Sequence, residues 1–107
     1  MKLLTQELLR RFAKVGRQEG KGEDAIVVAE FFTPDSSWKW FATEFDPATG
    51  EFFGLVQGFE QELGYFALKD LESAPAPGRL PIERDLYWDE KPLRQVREEL
   101  ARWGIGS

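Results

Sequence analysis

The sequence predicts a single small α+β domain: an N-terminal helix, a four-stranded antiparallel meander sheet, and a C-terminal helix packed on that sheet. Three observations carry the expectation. Apolar residues recur at helical spacing near both ends of the chain, strand-length runs rich in β-branched and aromatic residues fill the middle, and short turn-forming segments separate those runs. With 107 residues, 42% of them hydrophobic, and four Trp, nine Phe and two Tyr, residues 1–107 suit one domain with one core.

Leu8, Leu9, Phe12 and Val15 form the first apolar stripe, between Thr5 as N-cap and Gly16 as stop. Leu4 and Leu9 are placed for a hydrophobic staple across that cap. Arg10, Arg11, Lys14 and Arg17 fall mostly off the stripe. Residues 16–24 are polar with three glycines and read as a mobile connector. Residues 25–33 read as the first strand, closed by Pro34, Asp35, Ser36 and Ser37.

Residues 38–45 alternate, with Trp38, Trp40 and Ala42 on one face and Lys39, Phe41, Thr43 and Phe45 on the other. A turn at 46–50 leads to a third strand over 52–57. Residues 58–64 read as a tight connection and 65–68 as the fourth strand, so the meander needs only short loops. Gly54 reads as a bulge, and Gly58 and Gly64 as turn positions.

Residues 69–73 suit one helical turn, 74–81 form a Pro-rich loop, and 81–88 contain a short extended segment suited to a sheet edge. Pro92 fits the first position of the last helix. Its stripe is Leu93, Val96, Leu100 and Trp103, with Gly104 as the stop. Arg94 with Glu98, and Glu98 with Arg102, are spaced for helical ion pairs. One face of the sheet is expected to be covered.

Composition removes several chemistries. The chain has no cysteine and no histidine, which leaves out disulfides, thiolate nucleophiles, Cys-ligated zinc, and the commonest general base near neutral pH. An enzyme here would work with carboxylates, Lys, Tyr, Ser or Thr. Neither a phosphate-binding glycine loop nor a nucleophile elbow nor an acidic calcium loop occurs, so no cofactor and no metal are expected. Polar residues interrupt every apolar run in MKLLTQELLRRFAKV before it reaches signal-peptide or membrane-span length, so the expected location is the cytoplasm, with no membrane association.

The net charge of −5 is unevenly spread. Residues 1–22 carry six basic and two acidic groups, residues 23–90 carry four basic and fifteen acidic, and residues 91–107 carry four basic and two acidic. An acidic middle between basic ends repels nucleic acid and suits a basic protein partner. The basic ends lack the aromatic interleaving of a nucleic-acid surface, so direct nucleic-acid binding is not expected. The sequence sets no oligomeric state.

Several side chains are candidate binding residues. Glu60 and Glu62, with Glu44, Glu83 and Asp85, either gather as a carboxylate cluster for acid–base work or a hard cation, or stand solvated in turns. Arg84 between Glu83 and Asp85 is either an ion-pair clasp or an anion anchor. Trp38 and Trp40 share a side of their strand, as stacking on a ligand requires, and equally as a core pair requires. Tyr65 and Tyr87 are the remaining aromatic candidates. No catalytic residue is identified.

The run Phe52-Phe53-Gly54-Leu55-Val56-x-Gly58-Phe59-Glu60-x-Glu62-x-Gly64-Tyr65-Phe66-x-Leu68 follows Trp38-x-Trp40 and precedes Ile82-Glu83-Arg84-Asp85-x-Tyr87. In order and spacing it resembles a bacterial family known as domain of unknown function 2958, over nearly the whole chain from Leu3 to about Leu93. The resemblance transfers no activity. It implies the setting of accessory proteins of plasmids, phages and integrated elements, where anti-defence functions cluster.

Two functions follow as expectations. The first is a non-enzymatic interaction protein whose acidic surface engages a basic partner, a nucleic-acid mimic being one form of it. The alternative is a small carboxylate-dependent enzyme or ligand-binding domain, with a pocket lined by Trp38, Trp40, Tyr65 and Tyr87. If the family signature serves function, Trp40, Glu60, Glu62, Tyr65, Glu83 and Arg84 should meet in one concave patch. If it serves folding, they should be dispersed.

Overall fold

The computed structural model describes residues 2–103. Helix α1 (Gln6–Val15) starts where the Thr5 hydroxyl accepts the Leu8 amide at 3.2 Å. It ends at Gly16, whose φ of 69° is a left-handed turn-off that a side chain would resist. The 3-10 turn Gly22–Asp24 then leads into β1 (Ile26–Val27) and β2 (Ala29–Phe32). The single strand expected over 25–33 is therefore two strands in two sheets. Both faces of this run are covered, so its pattern could not mark the break.

The remaining elements are β3 (Lys39–Asp46), β4 (Glu51–Gln57), β5 (Gln61–Ala67), α2 (Leu68–Glu72), β6 (Glu83–Arg84), β7 (Lys91–Pro92) and α3 (Leu93–Arg102). Strands β2 to β5 make the expected meander, and β6 docks beside β2 as a fifth antiparallel strand, giving the order β5-β4-β3-β2-β6. Strands β1 and β7 pair separately as a ribbon. The turn after β4 needs only residues 58–60, so β5 starts at Gln61 and Gly64 is a mid-strand residue rather than a turn position. Pro92 is the N-cap of α3, one residue earlier than expected.

Alternation divides the sheet between two cores. Phe31, Ala42 and Phe52 face Phe12 of α1, Leu3, Leu4 and Leu71 of α2. Phe41 and Leu55 face the other way, against Leu93, Val96 and Leu100 of α3, with Trp88 beside them. Helices thus cover both faces, correcting the expectation of one. The stripe of α3 is buried as read except for Trp103, which is 63% exposed. The stop assigned to Gly104 lies outside the described residues.

The bulge lies on β3, where Thr43 is the extra residue between Ala42 and Glu44. Gly54 is its counterpart on β4, since a Cβ there would come within 1.9 Å of the Phe41 carbonyl oxygen. Gln18 fills the break. Its Nε2 donates to the carbonyls of Ile26 and Thr43, both at 2.7 Å, and its Oε1 accepts the Ile26 amide at 2.6 Å. The polar 16–24 segment is thereby tied into the fold by a buried amide.

The basic ends fold back on the acidic middle. Arg94 reaches Asp24 at 2.5 Å, Arg97 reaches Glu23 at 2.8 Å, and Arg11 pairs with Glu90. Arg94 and Arg97 of α3 thus find partners on the 3-10 turn, and the helical pairs read from the sequence, Arg94 with Glu98 and Glu98 with Arg102, are not among the ion pairs of the described residues.

Candidate functional site

The β4–β5 turn is closed by the Gly58 amide donating to the Glu60 carbonyl at 3.0 Å. At Gly58 a Cβ would lie 2.5 Å from the indole of Trp38, so only glycine lets that ring settle on the turn. Trp38 in turn stands edge-on to Phe59, with centroids 5.5 Å apart and ring planes at 82°, and tilts against Trp40 at 6.0 Å. Phe59 itself is 95% exposed. Around it lies an open cleft of about 500 Å³, lined by Trp38, Val56, Gly58, Phe59, Glu60 and Glu62. An aromatic held out in water on a fixed support, with carboxylates beside it, can stack on or pack against a ligand or partner group.

At the opposite end of the sheet, Glu44 accepts the Gln18 backbone amide at 2.9 Å. Tyr65 packs edge-on to Phe53 at 5.0 Å. Two adjoining clefts of about 460 and 310 Å³ share Glu19, Glu44, Phe53 and Tyr65.

A fourth cleft, of about 280 Å³, lies between the sheet and α3 and holds a residue that sequence reasoning missed, Glu30. This residue is 7% exposed, and its carboxyl lies 3.3 Å from Lys39 Nζ. Burial pushes it up to about 7 against the pull of Lys39, and a hydrogen bond with the Asp85 carboxyl adds to the rise. Across the cleft, Lys91 sits 4.5 Å over the Trp88 ring and 3.1 Å from Glu99, and the Trp88 indole donates to the Val27 carbonyl at 3.0 Å. A lone acidic residue inside the apolar run AIVVAEFF was the available signal for Glu30.

The expected single patch is three places. Trp38, Trp40, Glu60 and Glu62 gather at one sheet end. Glu44 and Tyr65 lie at the other, because the pairing of Tyr65 with Phe53 sets the tyrosine on the α3 side while Glu62 pairs with Val56 on the α1 side. Glu83 and Arg84 stand on β6 at the far edge, and as neighbours on a strand they leave from opposite faces. Asp85 is beside Glu30, and Tyr87, 90% exposed, lines that same cleft. A pocket combining Trp38, Trp40, Tyr65 and Tyr87 is therefore not formed.

Among the described residues no group of three or more Asp or Glu side chains is placed to hold a metal ion, and no helix is long and apolar enough to cross a membrane. The family model described as protein of unknown function (DUF2958) matches residues 3–103. No curated protein and no solved structure matches the chain.

Proposed function

The chain belongs to the DUF2958 family, and from that premise we propose that it is a non-enzymatic accessory protein of a mobile element that captures a basic protein partner at the Trp38–Phe59 end of its sheet. The observation that carries this reading is Phe59, almost wholly in water yet held edge-on to Trp38 above a glycine that no other residue can replace without moving the indole. Phe59 is the anchor. Glu60 and Glu62 form an acidic rim that attracts and orients Lys and Arg side chains, as charged rims at interfaces do. The pairing of the terminal arginines with carboxylates leaves less free positive charge for nucleic acid.

The test is affinity capture from a host carrying the element, at about 0.05 M and about 0.5 M salt, on either side of physiological ionic strength. Wild type, Phe59→Ala and the double variant Glu60→Gln/Glu62→Gln are compared. One protein held by the wild type at low salt and lost from both variants supports the reading. Equal retention by all three proteins excludes it.

A second reading, a carboxylate-dependent binding site, moves to the Glu30 cleft. Its support is the carboxyl held near neutrality beside Asp85 under aromatic walls. Chemical-shift titration with small amines would move Trp88 and Lys39 signals in the wild type and not in Glu30→Gln; unperturbed spectra remove this reading.

A further inference from the structure

Strand β5 is an open edge of the five-stranded sheet, with no proline, no lysine and no bulge over its seven residues and Glu62 as its single charge. Which of its backbone groups face outward follows from two hydrogen bonds. The Leu68 amide donates to the Gly50 carbonyl and the Gly58 amide to the Glu60 carbonyl, so, in the register that pairs Gly54 with Gly64, even-numbered residues of β5 bond to β4. Odd-numbered residues, Leu63 and Tyr65 among them, turn their N–H and C=O groups to solvent. Their side chains are 49% and 71% exposed.

Gly64 lies at the centre of this edge. It has no positive φ, and a Cβ there would meet nothing within 4 Å, so nothing within one chain calls for glycine. A strand-interior glycine weakens its strand, and it marks places where another backbone comes close. We propose that two copies of this chain join through β5, antiparallel, about a two-fold axis at Gly64, making one continuous sheet.

The register is the one that pairs all of 61–67 with itself. Leu63 then bonds opposite Tyr65 of the second copy and Tyr65 opposite Leu63, so both exposed apolar side chains are covered reciprocally, as an isologous contact requires. Gly64 meets its counterpart as a non-hydrogen-bonded pair, the closer of the two antiparallel spacings. Charge is compatible with this pairing. Glu62 falls opposite Phe66 of the second copy, and the two Glu62 carboxylates stay four residues apart, about 13 Å along the strand.

The proposal is independent of the basic-partner reading, and salt separates them. Each copy carries −5, so added salt strengthens self-association while it weakens capture of a basic partner. Sedimentation equilibrium of the wild type should show a concentration-dependent dimer, and Leu63→Lys should abolish it while melting as the dilute wild type does. Because the chain has no cysteine, single-cysteine variants read the register directly. Gly64→Cys, with Cα atoms about 4.5 Å apart across the axis, should cross-link to dimer under mild oxidation, and Glu62→Cys should not. A wild type that stays monomeric up to about 1 mM, a dimer that survives Leu63→Lys, or equal cross-linking of the two cysteine variants overturns it. An extended segment of another protein on β5 would give the first of these outcomes.

Discussion

Gln18 and Thr43 are joined through the amide Nε2 of the first and the carbonyl of the second, at 2.7 Å, at the point where β3 bulges out of its ladder. The same amide is bonded twice to Ile26, so one side chain supplies the hydrogen bonds that a missing strand segment would have made. Buried backbone groups released by the bulge have no water to turn to.

Replacing Gln18 with Leu should therefore cost about 2–4 kcal/mol, since buried donors and acceptors lose their partner while shape is roughly kept. Urea titration measures this. A change within about 0.5 kcal/mol would mean that water enters the bulge freely.

Glu30 makes stability fall as pH rises. Below 4.5 the group is protonated both folded and unfolded, and above about 7 it is charged in both, so the burial penalty develops between these limits. Glu30→Gln should flatten that slope and raise stability at pH 8 by on the order of 1–3 kcal/mol, while gaining nothing at pH 4. Melting curves across the window check it, and an unchanged slope refutes the assignment.

Glycines at three positions of the β4–β5 hairpin should respond differently to alanine. Gly54→Ala places a methyl on the Phe41 carbonyl and should cost about 3 kcal/mol or more. Gly58→Ala pushes on the Trp38 ring, a side chain that can tilt, so the main readout is a shift in Trp emission with loss of partner capture. Gly64→Ala meets open space, so a monomer should be unharmed or stabilised by about 0.5 kcal/mol.

The Pro-rich loop is pinned at one point. Asp35 accepts Arg79 Nε at 2.7 Å and the Leu80 amide at 3.2 Å, and these donors hold its carboxyl down to about 2. The pinning persists at every pH above about 4 and weakens only as the acid is protonated toward pH 2. Arg79→Ala should speed amide exchange across 74–81 without changing the melting temperature. Unchanged exchange there would show that the loop is held by other contacts.

What the sequence disclosed follows the range of the interactions. The cap at Thr5, the stripe from Leu8 to Val15, the turns at 34–37 and 46–50 and the edge segment near Glu83 are local patterns, and they are where they were read, whereas the turn read over 58–64 closes within 58–60. The break at Val28 was hidden because residues on both sides of it are buried on both faces. Gln18 was hidden because a polar residue among glycines reads as solvated until a bulge two strands away needs its amide. Glu30 was hidden because its surroundings are assembled from β3, the segment after β6, and α3. The candidate residues scatter for a related reason: alternation sends Glu62 and Tyr65 to opposite faces, and sequence proximity does not show this without the register.

The pairing of Ile26 with Pro92 and of Val27 with Lys91 sets a timetable for synthesis. While the ribosome is still making residues beyond β6, the α1 side of the sheet can close, but Val27, Phe41 and Leu55 have no cover until Leu93, Val96 and Leu100 emerge. Between the synthesis of β4 and that of α3 the nascent chain therefore carries a half-covered sheet, a form prone to aggregation and attractive to chaperones. A premature stop anywhere before α3 would leave that face permanently wet, so the last few codons of the helix decide whether all the preceding ones yield a soluble product.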